Sequence, residues 1–359
     1  MGEFLKICFF SQSLMPGGSE KQAVLTSRLL SKYYEVHFII FYPDKVDLKL
    51  LNQLHNSNVK IKILKGNPVN KLIKLYRFFL KEKFDIVFNY LLLPNVLGGL
   101  FTRLTKTKHS IGGIRSAKIE NNKIFLNKIA HNYLNHLTIF NNEAGTKYCS
   151  SRGFKMTKIK LIRNSLDTIP EEIKRENKKI TTILSVGRFE KVKAYDIALD
   201  SIKKLTLKNK TFKYIIVGWG ELESYLRKKI ENEKLTDYVT LIINPDNLTD
   251  YYLKSDIFLQ TSVYEGFSNT ILEALSYSLP VVATNVGDNS YMIKHEINGY
   301  LCAVNSTEEI VNYLELLLND FNQRIIFGKE SYRIIKKEFS SVSLEKKYLQ
   351  FIQQIQGKN

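Results

Sequence analysis

The sequence predicts an α/β chain of two doubly wound, parallel-sheet domains in tandem. Three observations carry this. At 359 residues the chain is long enough for about two domains, each with a core of its own. Short apolar, β-branched or aromatic runs alternate with longer stretches of helical period, the pattern of parallel strands joined by crossover helices. The rhythm breaks once, at the polar, charged, Pro-marked stretch 168–179, and then restarts. The expected boundaries are an N-terminal domain over 1–170, a second domain over 171–339, and a C-terminal helix over 340–359 that packs back on the first domain. Doubly wound domains bind ligands at the carboxyl ends of their strands, so two in tandem are expected to face one central cleft.

In the first half the strand candidates are 5–10, 36–42, 59–64, 86–89, 110–114, 137–140 and 159–162, with helical stretches at 20–32, 69–83 and 95–105 between them. The second half continues with strands at 182–186, 214–217, 239–243, 257–260 and 281–284. The tail is helical in pattern, with Leu344, Tyr348, Phe351, Ile352 and Ile355 as its apolar stripe. No repeat of solenoid length is present.

Composition narrows the class. Apolar residues make up 44% and charged residues 25%, which is ordinary globular usage and excludes disorder, collagen and coiled coil. The longest apolar run, around 91–101, contains Pro94 and Asn95 and falls well short of the ~18 residues of a membrane span. The start, Met1-Gly2-Glu3-Phe4, lacks the basic flank and apolar segment of a secretory signal, and Lys6 stands where a myristoylation pattern needs Ser or Thr. Cys8, Cys149 and Cys302 are too far apart for a zinc site or a disulfide framework. A soluble protein of a reducing, cytoplasmic compartment is expected.

Charge is unevenly distributed. Residues 1–170 hold 27 Lys+Arg against 10 Asp+Glu, while the remainder holds 26 against 25. A Lys-rich composition alone keeps a protein soluble, but it does not explain why acidic residues balance the basic ones in the second half only. The first half is therefore expected to face something anionic: phospholipid, a phosphorylated acceptor or nucleic acid.

Four stretches carry chemistry. The first strand leads into Met15-Pro16-Gly17-Gly18-Ser19-Glu20 and a helix. Tandem glycines there let backbone amides approach an anion. The plainer reading is a tight turn capped by Ser19. The stretch does not match G-x-G-x-x-G, which removes the main support for a dinucleotide site. The second half opens with Gly187-Arg188 just past a strand and Lys193 five residues on, two cations able to clamp a diphosphate. A solvated basic loop would look similar. Further on, the strand at 257–260 runs into Glu265-Gly266-Phe267 and a helix starting near Ser268. Exposed amides at Asn269, Thr270 and Ile271 form an anion site, and Glu265 and Glu273 offer carboxylates to sugar and ribose hydroxyls. Paired Glu residues on a helix are usually just solvated; the strand, Gly-loop, helix setting argues otherwise here. Arg115, after the strand at 110–114, is an acceptor-side or phosphate candidate. His131 and His136 fit better as structural histidines.

Gly17-Gly18, residues 164–167, Gly187-Arg188 with Lys193, Gly218-Trp219-Gly220, Glu265 with Glu273, Leu279 through Thr284, and Asn298-Gly299 occur in order. Together they resemble the family-4 retaining glycosyltransferases of the GT-B fold, built from two Rossmann-like domains, over nearly the whole chain. The resemblance implies that Arg188 and Lys193 bind a donor diphosphate, Glu265 the donor sugar, and Glu273 the ribose. It also implies that the Gly17-Gly18 loop closes over the diphosphate, and that no metal and no other cofactor is needed. Three positions depart from the family pattern: Ala194 and Ser165 stand where glycines are common, and Asp288-Asn289-Ser290-Tyr291 replaces a second glycine and a later Glu. The last of these leaves the donor open.

The expected reaction is transfer of a hexose or N-acetylhexosamine from a nucleotide-diphosphate sugar, with UDP favoured, to a lipid-linked or glycan acceptor in surface-polysaccharide or capsule synthesis. The helical stretch at 69–83 is basic and amphipathic, suited both to packing on the sheet and to grazing anionic lipid, which implies a peripheral enzyme on the inner membrane face. The competing readings are a non-catalytic GT-B-like partner subunit and a sugar-nucleotide epimerase. Nucleic-acid binding rests on charge alone, without an RNP-like strand or zinc-finger spacing, and is not expected.

Overall fold

The computed structural model describes residues 5–208 and 211–357; the start read above for a leader, residues 1–4, lies outside them. The chain divides into two compact units, the first made of 1–167 with 341–359 and the second of 168–340.

Unit 1 begins with β1 (Lys6–Ser11), α1 (Gly18–Leu30), β2 (Glu35–Ile40), α2 (Leu48–His55), β3 (Val59–Ile63) and α3 (Pro68–Glu82). It continues through β4 (Ile86–Tyr90), α4 (Leu92–Leu104), β5 (His109–Ile114), α5 (Asn121–Ile129), β6 (Leu137–Phe140), α6 (Glu143–Ser150) and β7 (Ile159–Leu161). All pairings are parallel, in the order β3-β2-β1-β4-β5-β6-β7. In β1 every residue from Ile7 to Ser11 is buried, because helices cover both faces. The two-residue period sorts its side chains. Ile7 and Phe9 pack with α1 and α2, while Cys8 and Phe10 pack with Leu75 and Phe79 of α3 and Phe101 of α4.

Unit 2 runs β8 (Thr181–Val186), α7 (Tyr195–Thr206), β9 (Phe212–Gly218), α8 (Glu223–Asn232), β10 (Val239–Ile243), α9 (Thr249–Lys254) and β11 (Ile257–Gln260). It ends with α10 (Asn269–Ser276), β12 (Val281–Thr284), α11 (Asn289–Met292), β13 (Gly299–Cys302), α12 (Thr307–Asn319) and α13 (Phe321–Glu338). Its parallel sheet has the order β10-β9-β8-β11-β12-β13. The last helix, α14 (Ser341–Ile355), returns to unit 1, where Leu344, Tyr348, Phe351 and Ile352 enter the same core as β1.

Two elements differ from the sequence reading. β13 is an additional strand: its first residue is Gly299, and a Cβ there would fall on the Val281 carbonyl. The glycine that permits this close approach to β12 also weakens the β signal of a four-residue run. The α1 helix starts at Gly18 with Gly17 as its N-cap, so Ser19 is not the cap, and its buried hydroxyl has no hydrogen-bond partner.

The polar stretch 168–179 has no regular structure, yet it does not swing free. Arg175 Nη1 donates to the carbonyl of Leu253 (3.1 Å) and to that of Ser255, and Nη2 donates to those of Tyr252 (3.2 Å) and Tyr277 (2.8 Å). One guanidinium thus gathers carbonyls just past α10 and at and around the end of α9, where helix dipoles favour a cation. Burial pulls its pKa down to about 10, partly offset by Asp256, so it remains charged at neutral pH. Arg175→Ala strands these carbonyls and is expected to cost unit 2 roughly 2–4 kcal/mol, seen as a lowered thermal midpoint. Arg175→Lys should recover only part, since an ammonium cannot fork across four acceptors. An unchanged midpoint in Arg175→Ala would show that the stretch is an ordinary linker.

Candidate active site

In a doubly wound sheet the ligand crevice lies at the carboxyl edge where strand order reverses. In unit 2 that point falls between β8 and β11. The loop after β8 carries Arg188 and Lys193, and the loop after β11 carries Glu265. The two loops are laced together. Val263 N–H donates to the Val192 carbonyl (2.9 Å), and Thr261 Oγ1 donates to the carbonyls of Lys193 (3.0 Å) and Ala194 (2.9 Å).

This lacing brings Lys193 Nζ to 2.5 Å from Glu265 Oε1, with side chains 18% and 12% exposed, so the pair is largely removed from water. Ser262 Oγ donates to the same carboxylate oxygen at 2.7 Å. The carboxylate loop is fixed from behind by Gly287, whose backbone is left-handed at φ 55°. A Cβ there would fall on the carbonyl oxygens of Glu265 and Gly266, and Asp288 N–H donates to the Gly266 carbonyl at 2.9 Å.

Glu273, in the second turn of α10, accepts a hydrogen bond from Tyr252 Oη at 2.9 Å. Burial, with the charge of Glu273 beside it, pushes the Tyr252 phenol well above its ordinary pKa, so it remains a donor. At the start of α10, the Ile271 amide donates to the capping Ser268 Oγ (3.4 Å), so of the three amides expected to meet an anion this one already has a partner. Gln260 Nε2 donates to Ser268 Oγ (2.8 Å) and Thr270 Oγ1 (3.3 Å), while its Oε1 accepts from Asn289 Nδ2 (3.0 Å). The Asp288–Tyr291 departure therefore has a use: buried Asn289 ties the β12 loop to the floor beneath α10.

Arg188 is placed differently from Lys193. Its side chain is 60% exposed and pairs with Glu190 at 2.6 Å rather than joining the Lys193–Glu265 pair. Ala194, where a glycine is common, takes φ 47° and ψ 49°, a left-handed conformation that costs a non-glycine residue ~1 kcal/mol. Ser165 needs no glycine. It is not among the left-handed residues, and its backbone exchanges two hydrogen bonds with the Gln22 side chain at 2.7 and 3.0 Å.

The remaining site candidates lie in unit 1 and are described there alone. Gly17 and Gly18 follow β1, beside the reversal between β1 and β4. The carboxylate of Glu20 lies against Gly17, 2.7 Å from where a Cβ would sit, and accepts from Ser13 Oγ at 3.0 Å. Burial raises the Glu20 pKa, opposed in part by its own amide and by Ser13. The Arg115 guanidinium stacks 4.9 Å from the Tyr90 ring centre and donates to Asn164 Oδ1 at 3.3 Å. His131 is structural: its ring nitrogens contact Thr138 Oγ1 (2.8 Å) and the Lys155 carbonyl (3.0 Å).

Sequence reasoning missed Ser262, Tyr252, Gln260 and Asn289. Only Ser262 lies close in sequence to the group it serves, three residues before Glu265. A cavity of about 1030 Å³ between residues 172–175 and α13 contains none of the motif residues. Its half-buried Arg175 and buried Arg324 are engaged with carbonyls, in the case of Arg324 those of Leu317 and Leu318 in α12.

With this geometry in place, residues 168–334 match the family described as glycosyl transferases group 1. The match takes in most of unit 2, a little under half of the chain, and makes that unit similar to the group 1 glycosyltransferases. The fold of the whole chain is GT-B: the model superposes on the crystal structure of HepE from Anabaena, in complex with UDP, with a TM-score of 0.83. That match covers 98% of this chain and 100% of the other at 16% identity. Among curated relatives, the chain is 26% identical to a Campylobacter jejuni enzyme over 97% of the chain and 99% of the relative. That relative is named as an N-acetylgalactosaminyltransferase acting on a diphospho-undecaprenol-linked glycan. This chain is also 24% identical to CapM of Staphylococcus aureus, a capsular polysaccharide biosynthesis glycosyltransferase, over 92% of the chain and 93% of the relative.

The Lys193–Glu265 pair yields a stability prediction. Lys193→Met leaves a carboxylate in a mostly dry loop with no cation, at an expected cost of about 2 kcal/mol. Lys193→Met combined with Glu265→Leu should be less destabilised than Lys193→Met alone. Denaturant unfolding of the two single variants and the double variant measures the coupling, and strict additivity would mean that the pair is not a pair in solution.

Proposed function

We propose that the chain transfers a hexose or N-acetylhexosamine from a nucleotide-diphosphate sugar, with UDP favoured, to a lipid-linked or glycan acceptor, retaining anomeric configuration, in surface-polysaccharide synthesis. The observation that carries this is the Lys193–Glu265 pair at the β8/β11 reversal, beside the start of α10. Glycosyl transfer from a nucleotide sugar sheds a diphosphate, and the site must neutralise that charge as the bond breaks. An ammonium has three donors and can hold a phosphate oxygen while keeping Glu265. Arg188, exposed on the same loop as Lys193, can exchange Glu190 for a second phosphate oxygen. The α10 amides add fixed dipoles, so the diphosphate is neutralised without calling on a metal. Glu265 then accepts hydrogen bonds from donor-sugar hydroxyls, and Glu273, oriented by Tyr252, binds the ribose. Arg115 serves the acceptor side. The name of the Campylobacter relative supports the lipid-linked acceptor, that of the Staphylococcus relative supports the polysaccharide setting, and the UDP complex of HepE supports the donor base.

UDP, GDP and ADP tested by thermal shift and calorimetry should rank UDP first. Glu273→Ala should weaken UDP binding about 10-fold, the worth of one charge-assisted hydrogen bond. Glu265→Ala should bind UDP nearly as wild type but turn over a UDP-sugar ~10²-fold more slowly in the presence of a lipid-diphosphate glycan. Wild-type turnover in both variants would end the assignment.

The proposal also places the enzyme at an anionic membrane surface. Among the described residues no helix is long and apolar enough to cross a membrane. The α3 helix buries Lys71, Leu75 and Phe79 on the sheet and turns Val69, Ile73 and Leu80 outward among exposed Lys74, Arg77 and Lys81. Neighbouring α4 exposes Leu100 and Leu104, and α5 exposes Phe125 and Leu126. Apolar residues set among Lys and Arg suit the headgroup region. Flotation should recover the protein with anionic vesicles at low salt, less at high salt, and less for Ile73→Glu with Leu80→Glu. Equal recovery with neutral and anionic vesicles would remove the membrane contact.

A further inference from the structure

The chain contains a single Trp, and it is held at the carboxyl edge of the unit 2 sheet. Trp219 lies between Gly218, the last residue of β9, and Gly220. Neither glycine has room for a side chain. A Cβ on Gly218 would fall on the Gly187 carbonyl, and one on Gly220, at φ +152°, would sit 2.7 Å from both Phe189 N and Phe189 O. The loop therefore lies flush against residues 187–189, the segment that carries Arg188. Phe189 N–H donates to the Trp219 carbonyl at 2.7 Å, and Leu222 N–H donates to the Phe189 carbonyl at 3.0 Å. On the other flank, Asn244 N–H, just past β10, donates to the Gly218 carbonyl at 2.9 Å. Three strand ends are thus locked together around one indole, and that indole is 55% exposed.

Such rigidity is not needed to leave a side chain in water. A large aromatic that could bury 150–250 Å² in a core is instead mounted on backbone that cannot move aside. Fixed aromatic faces beside phosphate-binding cations are what an unstacked base uses, because every base has a π-face.

The order of the strands tells which part of a donor would reach it. Lys193 and Glu265 mark the β8/β11 reversal, and the carboxylate loop leans on the β12 side through Gly287. Glu273, assigned to the ribose, is hydrogen-bonded to Tyr252 of α9, the helix that follows β10, so a base attached to that ribose extends toward the ends of β10 and β9. The β9 end is one strand spacing, ~4.8 Å, from β8.

We propose that Trp219 is the stacking surface for the nucleobase of the donor, an inference that rests on the nucleotide-sugar reading above. Stacking is indifferent to base identity, so Trp219 supplies affinity and placement, and discrimination among bases must come from other groups.

Because no other Trp contributes, the intrinsic emission of the full chain reports this residue directly. UDP added to the wild type should quench or shift that emission with the same midpoint as calorimetric binding. Pyrophosphate, which lacks a base, should bind more weakly and leave the emission unchanged. Trp219→Ala should lose about 10-fold in UDP affinity by calorimetry, with Trp219→Phe between it and wild type. Neither variant should alter the thermal midpoint, since the side chain is exposed. UDP affinity should fall in parallel with GDP affinity if the platform is base-tolerant. Calorimetric UDP binding with unchanged emission and undiminished affinity in Trp219→Ala would overturn the stacking role while leaving the donor reading intact. So would an indole that responds only to acceptor glycan. No heat with any nucleotide or nucleotide sugar in the wild type would overturn both.

Discussion

One ammonium and one carboxylate, closed on each other in a largely dry loop cluster, govern what unit 2 can hold. Lys193 and Glu265 come from loops 72 positions apart in sequence, and either one alone would be a buried charge without compensation. Much of the surrounding structure serves to keep them together. Thr261 and Val263 stitch the two loops, Ser262 occupies the remaining capacity of the carboxylate oxygen, and Gly287 lets the β12 loop press against the backbone that carries Glu265. The strain accepted at Ala194 belongs to the same turn that delivers Lys193 to the start of α7. For the transfer proposed above, this supplies a cation already desolvated and oriented, the condition under which electrostatic stabilisation of a leaving group is strongest.

The fold was legible because its signal is repeated. Among the described residues thirteen short strands and their crossovers spell one rhythm twice, and residues 7–10 of β1, 86–88 of β4 and 257–259 of β11 read as continuous apolar runs. The strand that escaped, β13, did so because its opening Gly299 is required by contact with β12 rather than by β-propensity. Lys193, Glu265 and Glu273 were legible from position: each follows a strand end at the edge where ligands bind. Their supports were not. Tyr252 precedes Glu273 by 21 residues, and Gln260 and Asn289 are 29 apart, so no local pattern links them. Arg175 looked like one more charge in a polar stretch, and only the fold shows that four carbonyls converge on it. Arg188 shows the opposite limit. Its place after β8 was readable, but its partner, Glu190, is two residues away in an ordinary surface pair.

Unit 1 carries the charge asymmetry, and its three neighbouring helices show how that charge is deployed. The basic residues of α3 are not a uniform coat: Lys71 is buried over the Phe41 and Tyr42 rings, while Lys74, Arg77 and Lys81 border exposed Val69, Ile73 and Leu80. Packing on the sheet and presenting a basic-apolar rim are therefore compatible functions of one helix, because the two faces are separated by its 3.6-residue period.

The most direct test of the account is a crystal structure of the chain with UDP bound. Diphosphate oxygens are expected within hydrogen-bond reach of Lys193 Nζ and of the first amides of α10, with Glu265 still beside the ammonium and the ribose on Glu273. UDP lodged elsewhere in unit 2, such as the cavity along α13, with Lys193 still bound to Glu265 alone, would contradict it.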